Sequence, residues 1–194
     1  TQYYMSEEYD PHSGNTDSIM GKVYSLTRNI ALKMKHIDIS RYKESGKLLD
    51  IGGGRGDFCK YMGNRGWEVS MVETDEEAAS VAEEQGLELY SEVSDLNAEE
   101  EYDLITLWHS LEHIHHIEYL FSKLQEKLKR DGICIIAVPN IDAFERRFYP
   151  NSWVAFDAPR HLYHFSLQSL TQLLRKYGFK IEESKVLWQD TPYN

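Results

Sequence analysis

The stretch that decides the fold is a short apolar run ending in a glycine-rich turn: Leu48-Leu49-Asp50-Ile51-Gly52-Gly53-Gly54-Arg55-Gly56. The run predicts a buried strand over residues 47–51, and the pattern after the turn predicts a helix over residues 57–65. Glycine permits positive φ angles and lets a ligand approach the backbone closely. We therefore expect a ligand site at the carboxyl end of this strand, where the amides that open the next helix are unpaired.

Outside this stretch, apolar runs alternate with helical patterns. Further strands are predicted over residues 68–73, 87–91, 102–108, 133–138 and 180–188, and helices over 18–37, 76–85, 116–130 and 167–177. Fully apolar strands that alternate with helices are typical of a parallel sheet covered on both faces. The sequence thus predicts an α/β fold, a doubly wound, mainly parallel Rossmann-like sheet with helices on both faces, preceded by an N-terminal helix.

The chain divides into two predicted parts. Residues 1–45 are expected to form a flap and a helix that pack on the core, and residues 46–194 a cofactor-binding domain with a substrate-facing insertion at about 140–166. No run approaches the ~20 apolar residues that a membrane span needs. Cys59 and Cys134 are interpreted as buried thiols in a reducing cytosol, which predicts a cytoplasmic protein.

The overall charge restricts the partners. The formal net charge of −11 argues against a duplex nucleic-acid binder, because neutralising phosphates requires a lysine- and arginine-rich surface. The chain is expected to be a monomer or a homodimer.

The spacing of the glycines separates two kinds of nucleotide site. A dinucleotide fingerprint that starts at Gly52 would need glycine at position 57, where the chain has Asp57, and the G-K-[ST] of a phosphate-binding loop is missing. Glu73 ends the next predicted strand, about twenty residues after the turn, where an acidic side chain accepts hydrogen bonds from ribose hydroxyls. That carboxylate suits NAD and S-adenosylmethionine equally.

Several motifs in order resemble those of class I S-adenosylmethionine-dependent methyltransferases. They span residues 46 to 188 and resemble above all the subgroup of ubiquinone-pathway-like and sugar or natural-product enzymes. The motifs are residues 48–58 (LLDIGGGRGDF), Val72-Glu73, residues 102–113 (YDLITLWHSLEH), Asp131-Gly132, Ala137-Val138-Pro139-Asn140 and residues 159–166 (PRHLYHFS).

The resemblance implies a set of cofactor contacts. Asp50 and the backbone of Gly52, Gly54 and Gly56 would hold the methionine end of S-adenosylmethionine, and Glu73 the ribose. Either Glu92 or Asp95 would meet the adenine. Trp108 and His109, which leave the fourth predicted strand, would line the methyl-donor pocket.

Histidines supply the candidate catalytic groups, since an oxygen nucleophile benefits from a base. His161 is the first choice for the base and His109 the second. An aromatic-rich segment before the last helix is expected to face the substrate through Trp153, Arg160, His161 and His164.

His109-x-x-Glu112-His113 also has a spacing compatible with a divalent metal if it continues as a helix. Metal-binding ubiquinone-pathway and small-RNA methyltransferases have a similar E-x-x-E-H. This chain has His109 in place of the first glutamate, so we expect no metal, with His109, Glu112 and His113 as the alternative ligand set.

The resemblance thus implies methyl transfer from S-adenosylmethionine, with S-adenosylhomocysteine as product, to a small-molecule acceptor, preferably at oxygen. Two alternatives remain open. One is a non-catalytic module that binds S-adenosylmethionine, and the other is an NAD(P)-dependent oxidoreductase.

Overall fold

The computed structural model describes residues 19–144, 156–157 and 159–187. Two 3-10 turns, Val93–Asp95 and Leu111–His113, lie between the longer elements. Those elements are α1 (Ile19–Ser40), β1 (Gly46–Ile51), α2 (Asp57–Gly63), β2 (Trp67–Val72), α3 (Glu76–Glu84), β3 (Glu88–Tyr90), β4 (Tyr102–Trp108), α4 (Ile117–Lys127), β5 (Leu128–Ala137) and α5 (Leu167–Lys176).

The described strands form one parallel sheet in the order β3-β2-β1-β4-β5. This topology confirms the predicted Rossmann-like fold. Because all strands run the same way, their carboxyl ends meet at one edge. The chain order changes direction between β1 and β4, which is where open sheets of this kind bind ligands.

The two faces of the sheet are covered by different helices. Leu48 of β1 and Leu104 of β4 pack on one face with Ile39 of α1. Leu49 and Ile105, their neighbours in sequence, point to the other face, because side chains alternate along a strand. That second face is covered by α4 through Leu120, Phe121 and Leu124.

Helix α1 is amphipathic, but its apolar stripe does not face the sheet. Ala31 and Ile39 are its buried apolar residues among the described side chains. The side chains of the stripe are 41% to 61% exposed, and they belong to Leu26, Ile30, Met34 and Ile37. The apolar periodicity therefore predicts the helix correctly. The face of α1 that packs on the sheet, however, is not the face that carries the apolar stripe.

The boundary between α4 and β5 differs from the prediction. Helix α4 ends at Lys127 rather than Arg130, and β5 begins at once with Leu128 instead of after Gly132. Leu128 pairs with Tyr102, and the register to β4 shifts irregularly before Ile133. Pairing with a neighbouring strand outweighs the local helical pattern here, because a strand pair forms with residues distant in sequence.

The predicted last strand over residues 180–188 is absent from the part of it that the structure describes. Residues 181–187 have no regular secondary structure. Lys185 instead forms an ion pair with Asp38 of α1, and Glu183 accepts a hydrogen bond from Tyr42. The alternating pattern was compatible with a strand, but this segment is anchored to the end of a helix.

Some predictions fall outside the described residues. They concern the flap before α1, Trp153, and residues 145–155 and 158 of the insertion expected at about 140–166. Cys59 and Cys134 are free thiols, as expected. Among the described residues, no helix combines the length and the apolar character required to cross a bilayer.

Candidate functional site at the carboxyl edge of the sheet

The glycine turn adopts backbone angles that favour glycine. The φ angles are 75° at Gly52, 55° at Gly54 and 80° at Gly56. A Cβ atom on Gly52 would lie 2.5 Å from the Cβ of Ser110, whose hydroxyl donates to the carbonyl of Ile51 at 2.6 Å. The turn therefore packs against the loop after β4 with no space for a side chain.

Asp50 lies beneath this turn as a buried carboxylate. Thr106 of β4 donates a 2.6 Å hydrogen bond to its Oδ1, and the Cys59 thiol lies 3.6 Å from its Oδ2. Burial raises the pKa of Asp50 to about 6, against the opposing effects of the Thr106 hydrogen bond and the positive charge of Lys35. The side chain thus braces β1 against β4 and α2 below the ligand edge.

Glu73, at the end of β2, is directly connected to the glycine turn. Its Oε2 accepts the amide proton of Gly54 at 2.7 Å, and its Oε1 accepts that of Asp75 at 2.9 Å. The sequence separation predicted that both features lie at one edge, and the structure brings them into contact. This half-buried carboxylate is placed where it can accept further hydrogen bonds from vicinal hydroxyls.

Glu92 and Asp95 follow β3 at the same edge, and both are exposed. They cap the short turn between them, since each side chain accepts a hydrogen bond from the backbone of the other. Ser94 also donates to Glu92 at 3.1 Å. The structure places both candidates near the expected adenine end and favours neither of them.

Trp108 and His109 leave β4 beside α1 and α2. The Trp108 ring packs edge-on against Phe58, with 5.5 Å between centroids, and Lys35 of α1 lies 4.3 Å from its centroid. His109 has a φ angle of 53°, a left-handed conformation that is uncommon for a residue other than glycine. Helix α1 thus forms one wall of the expected methyl-donor pocket.

A compact cluster of Glu112, His113 and His161 lies beyond His109. One ligand-type atom from each of the three lies within 4.8 Å of the other two. Glu112 is only 1% exposed, and neither carboxylate oxygen accepts a hydrogen bond in the described structure. The His109 Nδ1 atom is 3.8 Å from Glu112 Oε1, so the cluster adjoins the predicted methyl-donor pocket.

The cluster is assembled by the backbone of residues 160–163. His113 Nδ1 lies 3.0 Å from the carbonyl oxygen of Arg160, and the Leu162 amide donates to the carbonyl of Glu112 at 2.8 Å. Arg160 itself is paired with Asp157 at 2.7 Å. The substrate-facing role of Arg160 stays a prediction.

The predicted substrate-facing histidines differ in exposure. The His161 side chain is 11% exposed, with its Nε2 atom 4.0 Å from Asp157 Oδ2. His164 is exposed and lies edge-on against Phe156, with 5.4 Å between ring centroids. The structure therefore joins His161 to the cluster, whereas His164 lies at its periphery.

The helix on which the alternative set of His109, Glu112 and His113 depends is not formed. His109 is left-handed, and only Leu111–His113 form a 3-10 turn. The group able to hold a metal contains His161 and not His109. Because Glu112 is a buried carboxylate with no donor in the described structure, this revised set fits a divalent cation in its donor chemistry.

Sequence reasoning missed several residues of the site. Thr106 is a polar residue within the otherwise apolar run of residues 104–108, a signal that could have indicated its bond to Asp50. Arg28 pairs with Asp57 at 2.9 Å, and Lys35 contacts Trp108. No local pattern marks these two cations, because only the packing of α1 on the sheet brings them to the site.

Known proteins resemble the chain in fold. A methyltransferase described as a possible histamine N-methyltransferase, from Thermotoga maritima, is 20% identical with a TM-score of 0.64, covering 82% of this chain and 76% of its own. The 1,6-didemethyltoxoflavin-N1-methyltransferase of Burkholderia thailandensis, solved with 1,6-didemethyltoxoflavin and S-adenosylhomocysteine, is 23% identical with a TM-score of 0.62, covering 85% and 72%.

A curated relative and a family model complete the comparison. The ubiquinone biosynthesis O-methyltransferase of Rickettsia conorii is 24% identical over 122 residues, which are 59% of this chain but only 42% of that relative. The family model described as a methyltransferase domain matches residues 28–184, most of the chain. The chain therefore belongs to this methyltransferase-domain family, within the class I superfamily of S-adenosylmethionine-dependent methyltransferases.

Proposed function

We propose that this domain transfers the methyl group of S-adenosylmethionine to an oxygen atom of a small-molecule acceptor, with His161 as the general base. The observation that carries the proposal is the buried cluster of Glu112, His113 and His161 next to the methyl-donor pocket. An alcohol or phenol must lose a proton during transfer, and a histidine that lies close to a carboxylate can accept it.

The residues at the carboxyl edge of the sheet have different proposed roles. Glu73 and the glycine turn hold the ribose and methionine parts, while Trp108 closes the pocket against α1. When bound, S-adenosylmethionine supplies an electrophilic methyl group, whose bond to sulfur breaks as the acceptor oxygen attacks. His161 takes the hydroxyl proton, and the Glu112 carboxylate stabilises the resulting imidazolium. Packing around the pocket excludes water and aligns the acceptor, which contributes much of the rate in such displacements.

A surface cavity next to the cluster suits a small acceptor. Its volume is about 550 Å³, within the ordinary range for small-molecule sites. Tyr163 connects the cavity to the cluster, because its amide lies 3.3 Å from the carbonyl oxygen of Glu112. The cavity is lined by His115, His116, Ile117, Glu118, Tyr119 and Tyr163.

A second reading of the cluster is a divalent cation site. Glu112, His113 and His161 would be the ligands, and the cation would polarise the acceptor oxygen in place of a base. The donor-free carboxylate of Glu112 favours this reading. We place it second because the chain has His109 where metal-binding methyltransferases with a similar E-x-x-E-H have the first glutamate. A non-catalytic module that binds S-adenosylmethionine remains the other alternative. We do not propose an NAD(P)-dependent oxidoreductase, because the chain belongs to a methyltransferase-domain family.

The domain arrangement, the location and the oligomeric state are part of the proposal. Residues 46–194 are proposed to form the cofactor domain with α1 packed on it, and the free thiols agree with a cytoplasmic location. A monomer or homodimer is proposed.

The decisive experiment has two stages. Calorimetric titration with S-adenosylhomocysteine and with NAD first identifies the ligand, and we expect binding of the former alone. A library of phenols, alcohols and amines is then screened for release of S-adenosylhomocysteine.

The variant His161→Ala should lose about 100- to 10,000-fold in kcat on a hydroxyl acceptor. The control variant His36→Ala, on α1, should keep its activity. Full turnover by His161→Ala would contradict the assignment.

A further inference from the structure

The positions of the proposed contacts fix the orientation of the bound cofactor along the carboxyl edge of the sheet. Glu73 follows β2, the glycine turn follows β1, and Trp108 ends β4, and these strands are neighbours in that order. A ribose at Glu73 therefore directs the methionine part towards β1 and β4. That part ends in a carboxylate, and a partly buried carboxylate is costly unless a cation or several donors meet it.

Helix α1 brings two cations to this end of the edge. Lys35 Nζ lies 4.3 Å from the centroid of the Trp108 ring, at the carboxyl end of β4. Its positive charge is also close enough to the buried Asp50 carboxyl to lower its pKa, against the larger effect of burial. Lys35 thus lies between the last residue of β4 and the residue beneath the glycine turn.

Arg28 lies two helical turns before Lys35, about 10 Å away along the axis. Its Nη1 atom donates to Asp57 Oδ2 at 2.9 Å, while its Nε is buried and has no hydrogen-bond partner in the described structure. Asp57 is the first residue of α2, immediately after the glycine turn. This pair therefore holds α1 over the opening of α2 and keeps Lys35 at the methionine end.

We infer that Lys35 binds the carboxylate of the cofactor's methionine end, and that Arg28 positions it by fixing α1 on Asp57. The inference rests on the proposed function, since it requires S-adenosylmethionine in this orientation. An ammonium group has three N–H donors, so its contact with the Trp108 face is compatible with a charge-assisted bond to a carboxylate. Helix α1 then becomes part of the cofactor site as well as a cover for the sheet.

The test compares two nucleosides that differ in the methionine part. S-adenosylhomocysteine carries the amino-acid carboxylate, whereas 5′-methylthioadenosine retains the adenosine and sulfur but lacks the amino-acid group. Calorimetry on the full chain should show that Lys35→Ala weakens binding of S-adenosylhomocysteine about 10- to 100-fold, the usual effect of losing a charge-assisted hydrogen bond. Binding of 5′-methylthioadenosine should be unchanged.

Matched variants separate charge from packing. Lys33→Ala removes an exposed lysine from the same helix, two residues away and hence on the other side, and should leave both affinities unchanged. Lys35→Arg should retain most of the affinity. Equal weakening of both nucleosides by Lys35→Ala, or no weakening of either, would overturn the inference while leaving the proposed function intact. Failure of the unsubstituted chain to bind either nucleoside would overturn both.

Discussion

His113 Nδ1 lies 3.0 Å from the backbone carbonyl oxygen of Arg160, which joins two loops that are 47 residues apart in the chain. The ring is thereby fixed in orientation, and the loop that carries His161 is held against Glu112. A site built from two loops depends on such a connection, because neither loop is held in place by the sheet alone.

Removing the His113 ring should displace the proposed base without affecting the cofactor. His113→Ala is expected to lower kcat about 100-fold, the effect of a misplacement of about 1 Å in a reacting group. Affinity for S-adenosylhomocysteine should not change, because the proposed ribose and methionine contacts, Glu73 and the glycine turn, follow β2 and β1. His113→Asn keeps a donor near the Nδ1 position and should recover part of the rate. A matched loss of cofactor affinity would show that His113 supports the whole edge instead.

Chelation distinguishes the two readings of the cluster. We expect turnover to survive EDTA treatment, and Glu112→Gln to lower kcat because the carboxylate no longer stabilises the imidazolium. The measurement is initial rate before and after chelation, with Mn²⁺, Co²⁺ or Zn²⁺ added back, since nitrogen-rich ligand sets favour such metals. Loss of turnover that a divalent ion restores, only in the protein with Glu112 intact, would favour the cation site.

Glycines 52 and 63 offer a matched pair of substitutions. Gly52→Ala introduces a Cβ 2.5 Å from Ser110 Cβ at a φ of +75°, so we expect a loss of about 1–3 kcal/mol in the free energy of unfolding, and weaker cofactor binding. Gly63 ends α2 with no atom within 4 Å of a built Cβ. Gly63→Ala should stabilise the chain by about 0.5–1 kcal/mol. Urea denaturation measures both, and equal effects of the two substitutions would contradict the expectation.

The buried Asp50 should make stability depend on pH. In the unfolded chain an aspartate titrates near ~3.9, whereas burial raises the pKa of Asp50 in the folded state to about 6. Between these values the folded state retains a proton that the unfolded state has released. The free energy of unfolding should therefore fall by about 2 kcal/mol from this group as the pH rises from about 4 to about 6.

Asp50→Asn provides the control for this pH dependence. The amide does not titrate, so the decline between about pH 4 and 6 should become smaller by the contribution of Asp50. Urea denaturation at several pH values within this window measures the difference. An unchanged decline in Asp50→Asn would assign the pH dependence to other groups.

The predicted elements and the observed ones agree where the local pattern was strong. β4 was predicted with its observed bounds, and the strand before the glycine turn begins one residue earlier than predicted. The disagreements lie where tertiary contacts compete with local preference. Leu128 leaves the helical pattern to pair with Tyr102, and residues 181–187 are held by α1 instead of by the sheet.

In the candidate site too, local spacing predicted some residues, and tertiary contacts decided the others. The glycine turn and Glu73 were identified from spacing, because a strand, a turn and the next strand end place them at one edge by local geometry. The partnership of Glu112 with His161 was not visible, since it depends on how residues 160–163 return to the loop after β4. Spacing suggested His109 as the companion of Glu112 and His113, whereas the ligand-type atoms that the structure brings together belong to Glu112, His113 and His161.

The sequence by itself determined the parallel α/β sheet and the glycine turn that opens α2, because these depend on apolar periodicity and on residues close together in the chain. The class of methyltransferase came from the resemblance of its ordered motifs to a known family. Only the tertiary structure decided which distant groups meet. It buried Glu112 beside His113 and His161, and it placed Lys35 of α1 over Trp108. Such contacts follow from the packing of elements across the sheet, and short-range patterns carry no information about them.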